Sequence, residues 1–255
     1  MRLLYLGGNV LGVRVLRWLV DQGVEIAGLV LHPPERRRCG DEFLTATDLP
    51  PEHIFDGSQL RKPEVLEAIR AVGADMALSV MFGYILRPKF LDLFPRGAVN
   101  LHPSLLPYNR GAHPNAWSLV EGTPAGVTLH RIDRGVDTGD VLAQREVPVH
   151  SIDTAGTLYD RLLDAGFDLV VEQWPALARG DLEPRPQDET LATLHRVRDL
   201  ATLEIDPDAT VRAGDLINLL RARTCPPYAG ASFVDEDGRR VEVRVALRYL
   251  DEDSP

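Results

Sequence analysis

The amino-acid sequence predicts an α/β fold with a doubly wound, mostly parallel sheet, followed by a small α+β C-terminal appendage. Short apolar runs at Arg2–Leu6, Glu25–Leu31 and Ala74–Met81 alternate with segments of helical period. This alternation is typical of parallel strands joined by crossover helices. The composition changes near Gly180, where a proline-containing linker begins. We therefore expect one domain over residues 1–180 and a smaller one over residues 181–255.

The elements of the first half follow in chain order. Leu11, Val15, Trp18 and Leu19 recur at helical spacing after the first strand. A second helix is predicted from Ser58 to Val72. A strand is predicted to end at His102, because the following proline disfavours helical geometry at this position.

The second half predicts two more strands and then a long helix. The strands cover residues 126–132 and 141–149, and the sequence leaves open whether they run antiparallel. The helix begins at Asp153 or Thr154 and is bent or ended by Pro175. In the appendage, a helix over 216–223 precedes a hairpin whose strands are residues 231–234 and 241–249.

The composition limits the classes of function. The chain has 255 residues and a formal net charge of −10, which argues against broad affinity for nucleic acid. Its two cysteines, Cys39 and Cys225, form neither a metal motif nor a disulfide framework. No apolar run reaches the ~18 residues of a membrane helix, and the N-terminal run is too short for a signal peptide. We expect a cytoplasmic protein without a nucleic-acid partner, membrane association or metal.

Three polar residues are candidates for catalysis. Asn100 and His102 are two residues apart, so an extended strand places both side chains on one face. Asp137 lies in a glycine-rich turn after the next strand. Ligands of open α/β sheets bind at the carboxyl ends of the strands, where these residues are expected. Taken alone, Asn-x-His more often marks a strand end with a solvated histidine, and Asp137 would then only form a turn.

Two loops have alternative interpretations. The apolar loop Phe82–Leu86 follows a strand at the same predicted edge, where it could line a slot for a flat ring or pack in the core. The charged loop Glu35–Glu42 is either solvated or holds a phosphate. The glycines at positions 7, 8 and 12 do not match G-x-G-x-x-G, which argues against a nicotinamide dinucleotide site.

Two ordered motifs carry a resemblance to a known family. They are Asn100-Leu-His-Pro-Ser-Leu-Leu-Pro107, and Gly126-Val-Thr-Leu-His130 followed by Gly135-Val-Asp-Thr-Gly-Asp140. The chain resembles the formyltransferases that use N10-formyltetrahydrofolate, which implies a Rossmann-like fold. The resemblance implies that Asn100, His102 and Asp137 are catalytic and that Leu106–Pro107 is cis. It places the folate cosubstrate on two loops, at residues Met81, Phe82, Gly83, Tyr84, Ile85, Leu86, Asp133, Val136 and Asp140.

Residue chemistry assigns a role to each member of the triad. Imidazole titrates near pH ~6.5, so His102 is the natural base for an acceptor amine. Asn100 cannot act as a base, but its amide can donate to a developing oxyanion. Asp137 either orients His102 or relays protons through water. None of these roles requires a metal.

The acceptor is predicted from three further stretches: 108–117, 195–200 and 216–231. These look like the branch of the family that formylates an amino sugar linked to a nucleotide, with dTDP as the expected carrier. The tail is also shorter than the C-terminal domain expected of the tRNA enzymes. The residues expected to contact the acceptor are Asn9, Asn109, Arg110, His113 and Tyr228.

Several alternatives stay open at this point. The acceptor could be methionyl-tRNA or another small amine, or water could replace the amine in a formyltetrahydrofolate hydrolase. A non-catalytic folate- or nucleotide-binding module is disfavoured by the complete Asn100, His102 and Asp137 set. The expected partners are a folate and a nucleotide-linked amino sugar, and a homodimer is conceivable through the C-terminal hairpin.

Overall fold

The computed structural model describes residues 1–201 and 204–250. Its strands within this range are β1 (Arg2–Gly7), β2 (Glu25–Leu31), β3 (Ile54–Asp56), β4 (Met76–Val80), β5 (Ala98–His102), β6 (Arg110–Gly111), β7 (Gly126–Arg131), β8 (Val141–Glu146), β9 (Leu194–His195), β10 (Ala231–Val234) and β11 (Arg240–Val243). Its helices are α1 (Val10–Asp21), α2 (Gly40–Leu44), α3 (Pro63–Ala71), α4 (Pro88–Leu91), α5 (Pro114–Glu121), α6 (Ala155–Arg179), α7 (Val197–Ala201) and α8 (Ala213–Ala222).

The main sheet has seven strands in the order β3-β2-β1-β4-β5-β7-β8. The strands from β3 to β5 pair in parallel, and β7 runs antiparallel to β5. The strand order therefore reverses between β1 and β4, which is the position where doubly wound sheets open a crevice for ligands. The predicted Rossmann-like, mostly parallel α/β fold is confirmed.

The chain forms two compact units, each assembled from several segments. The first comprises Met1–His102, Val127–Arg145 and Asp164–Gln187, and contains the main sheet. The second comprises Pro103–Gly126, Glu146–Leu163 and Asp188–Pro255. The first unit runs through Gly180 to Gln187, and the second takes segments from both sides of the linker. The boundary between residues 180 and 181 therefore stays a prediction.

A core of aliphatic and aromatic side chains lies on one face of the main sheet. Leu4, Leu6 and Val30 from the strands pack with Ile69 of α3 and Phe90 of α4, and all five are almost fully buried. Burying each of these side chains stabilises the fold by about 1.5–3 kcal/mol. The continuous apolar strands that predicted a parallel sheet supply part of this core.

Some element boundaries differ from the predicted ones. The helix predicted from Ser58 starts at Pro63, because Gly57–Gln59 forms a separate 3₁₀ turn and proline suits the first helical position. Pro175 does not end α6, which continues to Arg179. Its buried neighbours Trp174 and Leu177 offset the cost of the missing backbone hydrogen bond.

The second unit holds the shorter sheets. β6 pairs in parallel with β9, and β10 pairs antiparallel with β11 around the predicted turn at 235–238. The Leu106–Pro107 peptide bond is cis, as the family resemblance implied. Among the residues described, no helix is long and apolar enough to cross a membrane.

Candidate active site

The structure brings the three predicted catalytic residues together in the first unit. Asn100 and His102 lie on β5, and Asp137 lies in the turn that follows β7. The Nδ1 atom of His102 is 3.6 Å from Oδ2 of Asp137, and the histidine side chain is 8% exposed. The carboxylate therefore faces the nitrogen whose proton fixes the imidazole tautomer, which leaves Nε2 as the basic nitrogen.

A second histidine, His130, completes the cluster. In the antiparallel pairing of β5 with β7 it lies directly opposite Asn100. Its Nε2 is 3.1 Å from Asn100 Nδ2 and 3.5 Å from Asp137 Oδ1, while its Nδ1 is 2.8 Å from the carbonyl oxygen of Arg131. Since that carbonyl can only accept, His130 Nδ1 carries a proton. In the neutral imidazole Nε2 then accepts from the Asn100 amide.

Asn100 is held on both sides. Ser79 on β4 donates to its Oδ1 at 2.8 Å, and its Nδ2 donates to His130. These two contacts fix which end of the amide is the donor. One hydrogen on Asn100 Nδ2 has no partner among the described residues, so it is available to an oxyanion.

The turn that carries Asp137 is stiffened by local bonds. Asp137 itself has a left-handed φ of 53°. Asp133 accepts hydrogen bonds from the backbone N–H of Gly135 and from the hydroxyl of Thr138. Gln187 donates to the carbonyl oxygens of Asp137 and Gly139. The backbone at Asp137 is therefore held from within the turn and from the linker.

The predicted folate residues lie on two loops of the first unit. Ile85 and Gly83 are exposed, while Met81, Phe82 and Tyr84 are half-buried. Leu86 is 7% exposed and packs with the core on one face of the sheet. Its predicted contact with the folate stays a prediction. On the turn after β7, the predicted folate residues Asp133, Val136 and Asp140 are all exposed.

Three of the predicted acceptor residues have hydrogen-bond or ion-pair partners within the protein. Asn9 caps α1, where its side chain accepts from the backbone N–H of Gly12. The fully buried Asn109 donates to the hydroxyls of Ser118 and Thr123. The next residue, Arg110, points both terminal nitrogens at the carboxylate of Glu189. Arg110 thus forms an ion pair, Asn9 caps a helix and Asn109 bonds to buried hydroxyls. Their contacts with the acceptor stay predictions.

His113 and Tyr228 keep exposed side chains in the second unit. His113 has a left-handed φ of 56° at the start of α5. Loss of hydration and the nearby Arg223 cation lower the pKa of His113. A neutral imidazole is therefore the resting form of this side chain near pH 7.

His195, in the segment after the linker, contacts two residues of α5. Its ring stacks on Trp117 with centroids 3.9 Å apart, and its Nε2 is 3.2 Å from Oε1 of Glu121. β9 also pairs with β6, where the Cβ of any residue replacing Gly111 would lie 2.3 Å from the carbonyl oxygen of His195. The predicted acceptor stretch 195–200 thus contributes to the architecture of the second unit.

A comparison with known protein families shows which family the chain belongs to. Residues 19–173 match the family described as formyl transferase, and residues 201–249 match the N-formyltransferase dimerization C-terminal domain. The chain belongs to the formyl transferase family of enzymes. The cluster of Asn100, His102, His130 and Asp137 lies within the first match.

Curated relatives of this formyltransferase are named methionyl-tRNA formyltransferases. One from Chloroflexus aggregans is 38% identical over 204 residues, which are 77% of this chain and 66% of the relative. The chain thus spans slightly less than two thirds of that relative's length. Another, from Ruminiclostridium cellulolyticum, is 31% identical over 94% of this chain and 78% of its own length.

Solved structures with the same fold are named differently. A Mycobacterium tuberculosis protein, described as uncharacterised and suggested to be a sugar N-formyltransferase, is 28% identical with a TM-score of 0.79, covering 98% of this chain and 99% of its own. The formyltransferase PseJ from Anoxybacillus kamchatkensis is 30% identical with a TM-score of 0.58, covering 80% of this chain and 89% of its own. The PseJ structure contains tetrahydrofolate and UDP-4,6-dideoxy-4-formamido-L-AltNAc.

Two residues of this formyltransferase were not anticipated from the sequence. His130 was treated as an ordinary strand residue, although it belongs to the second family motif and could have been found there. No role was predicted for His32, which directly follows β2. Its Nε2 in fact accepts a hydrogen bond from the backbone N–H of Gly83 at 3.1 Å. Within the described ranges, no group of three His, Cys, Asp or Glu side chains could hold a metal ion.

Proposed function

We propose that this protein transfers a formyl group from N10-formyltetrahydrofolate to the primary amine of a nucleotide-linked amino deoxysugar, with dTDP as the expected carrier. The observation that carries the proposal is the cluster in which Asp137 faces His102 while Ser79 and His130 fix the amide of Asn100. A base and an oriented amide donor on one strand meet the needs of acyl transfer to an amine.

The chemistry assigns one task to each side chain. His102 accepts a proton from the amine, whose nitrogen attacks the formyl carbon to form a new C–N bond. Asn100 donates to the resulting oxyanion, a contact worth about 3 kcal/mol in other enzymes. The tetrahedral intermediate then collapses, the bond from carbon to N10 breaks, and the proton held by His102 passes to N10. Asp137 stabilises the imidazolium while it holds that proton.

Support for a sugar acceptor comes from the similar structures and from charge. PseJ, at 30% identity, was solved with a formamido sugar on a nucleotide. The match at residues 201–249 is to an N-formyltransferase dimerization domain. A formal net charge of −10 also suits a small substrate better than tRNA. The same C-terminal match supports a homodimer.

A second candidate is methionyl-tRNA formyltransferase. It is favoured by the names of the curated relatives at 31–38% identity. The proposed catalytic residues serve both reactions, because each transfers the same group to a primary amine. The distinction therefore depends on the acceptor alone.

One set of incubations tests the proposal. The protein and N10-formyltetrahydrofolate are combined with dTDP-amino sugars, with UDP-amino sugars, with methionyl-tRNA, or with no acceptor. Mass spectrometry should find one added formyl group on a sugar nucleotide. Transfer only to methionyl-tRNA would replace the sugar assignment, and formate release without any acceptor would indicate a hydrolase. Absence of all three reactions would reject formyl transfer.

A further inference from the structure

His32 joins two loops at the carboxyl edge of the main sheet, beside the point where the strand order reverses. It directly follows β2, while Met81, Phe82 and Gly83 directly follow β4. The Nε2 of His32 accepts the backbone N–H of Gly83 at 3.1 Å. Its ring also stacks on Phe82, with centroids 4.9 Å apart and planes 23° from parallel.

The segment that His32 contacts has an uncommon backbone conformation. Met81 has a left-handed φ of 55°, which is uncommon for a residue other than glycine. Its carbonyl oxygen is so close to Gly8 that an added Cβ would lie 2.0 Å away. Tyr84 closes the cluster, with its ring 5.3 Å from His32 and 5.6 Å from Phe82. A backbone in this conformation needs neighbours that hold it in place.

We propose that His32 is a positioning residue for the donor site, which holds Met81–Gly83 in the shape that receives the pterin ring of N10-formyltetrahydrofolate. The inference rests on the proposed function, since that function makes this loop the donor site. It adds a residue to the site and states how that residue acts. His32 works through Gly83 and Phe82 and takes no part in the transfer itself.

The protonation state of His32 suits this role. Only a neutral imidazole with its proton on Nδ1 can accept from Gly83, because an imidazolium has donors alone. Partial burial, together with the cations of Arg36, Arg37 and Arg38, lowers the pKa of His32. From the other loop, the titratable group in ring contact with it is the phenol of Tyr84. The accepting form is therefore favoured near pH 7, and acidification removes the acceptor.

Two substitutions separate the hydrogen bond from the stacking. His32→Phe keeps a flat ring against Phe82 but has no acceptor for Gly83. His32→Gln can place an amide oxygen near the position of Nε2 but loses the ring. His150→Phe is the matched control, because that histidine is exposed and lies in the second unit. Thermal unfolding of each variant shows whether the fold is intact.

The readout is the Kd for tetrahydrofolate, measured by calorimetry between pH 5 and 8, followed by steady-state kinetics. We expect His32→Phe to weaken tetrahydrofolate binding about tenfold at pH 7.5. The KM for N10-formyltetrahydrofolate should rise with it, while kcat and the acceptor KM change little. At acid pH, the affinity of the wild-type protein for tetrahydrofolate should fall more steeply than that of His32→Gln, because glutamine does not titrate.

The results of these measurements test the role of His32 separately from the proposed function. If the wild-type protein binds no tetrahydrofolate, the proposed function fails. If the wild type binds it and folded His32→Phe binds equally well, only the role of His32 is rejected. A fall in kcat at unchanged donor affinity would also reject it, because that result would place His32 in the chemical step.

Discussion

The Nδ2 atom of Asn100 lies 3.1 Å from the Nε2 atom of His130, across the antiparallel pairing of β5 with β7. This contact ties the proposed oxyanion donor to a histidine whose tautomer is fixed by the carbonyl of Arg131. Ser79 holds the other end of the same amide. Catalysis by Asn100 should therefore depend on Ser79 and His130, which orient its amide.

His130→Phe should lower kcat about 10- to 100-fold with little change in the donor KM. The substitution removes the acceptor that orients Asn100, and a misoriented oxyanion donor loses much of its value. Ser79→Ala should have a smaller effect of the same kind. Because both act on one amide, the double variant should cost less than the sum of the two changes. Additive effects would show that the two residues do not act through Asn100.

His102→Ala should lower kcat about 100- to 10,000-fold and leave the Kd for tetrahydrofolate nearly unchanged. A general base contributes a factor of this size, whereas donor binding is assigned to other loops. Single-turnover assays measure the chemical step, and calorimetry measures donor affinity. Activity close to that of the wild type would require another base.

Asn109→Ala should lower the free energy of unfolding by about 2–4 kcal/mol and leave the acceptor KM unchanged in the folded fraction. The fully buried amide donates hydrogen bonds to the hydroxyls of Ser118 and Thr123, and alanine would remove both bonds. Urea denaturation measures the loss. Tyr228→Ala is a suitable comparison, since the Tyr228 side chain is exposed. A higher acceptor KM without loss of stability would restore the predicted binding role of Asn109.

His113→Asn should reduce the loss of stability that accompanies acidification. The pKa of His113 is lowered by lost hydration and by Arg223, so the unfolded chain binds this proton more readily. The stability due to the neutral form is present above the unfolded pKa near ~6.5 and is lost as the pH falls through the folded pKa. Asparagine tolerates the left-handed φ of 56°. Urea denaturation at pH 7.5 and 5.5 checks this, and equal losses in both proteins would contradict it.

Local patterns predicted the parts of the site that lie on one strand or in one motif. Period-two alternation placed Asn100 and His102 on the same face, and the glycine-rich turn identified Asp137. His130 lies in the second family motif, but its contact with Asn100 follows from the register of two strands that are distant in sequence, which no local pattern encodes. The burial of Asn109 was not predicted for a similar reason, because its partners come from α5 and from Thr123 beyond it.

Gly111→Ala should destabilise the second unit far more than Gly122→Ala. Both glycines have left-handed φ values, 87° and 66°, so each substitution incurs the backbone cost of about 1–2 kcal/mol. At Gly122 nothing lies within 4 Å of the added Cβ, whereas at Gly111 that atom would lie 2.3 Å from the carbonyl oxygen of His195. β6 and β9 pair through Gly111 and His195. Gly111→Ala must therefore separate the two strands, and we expect the free energy of unfolding to fall by about 3 kcal/mol or more. The separation should also disturb the stacking of His195 on Trp117, visible as a change in tryptophan fluorescence. Equal losses for the two variants would mean that the pairing of β6 with β9 contributes little to the stability of this unit.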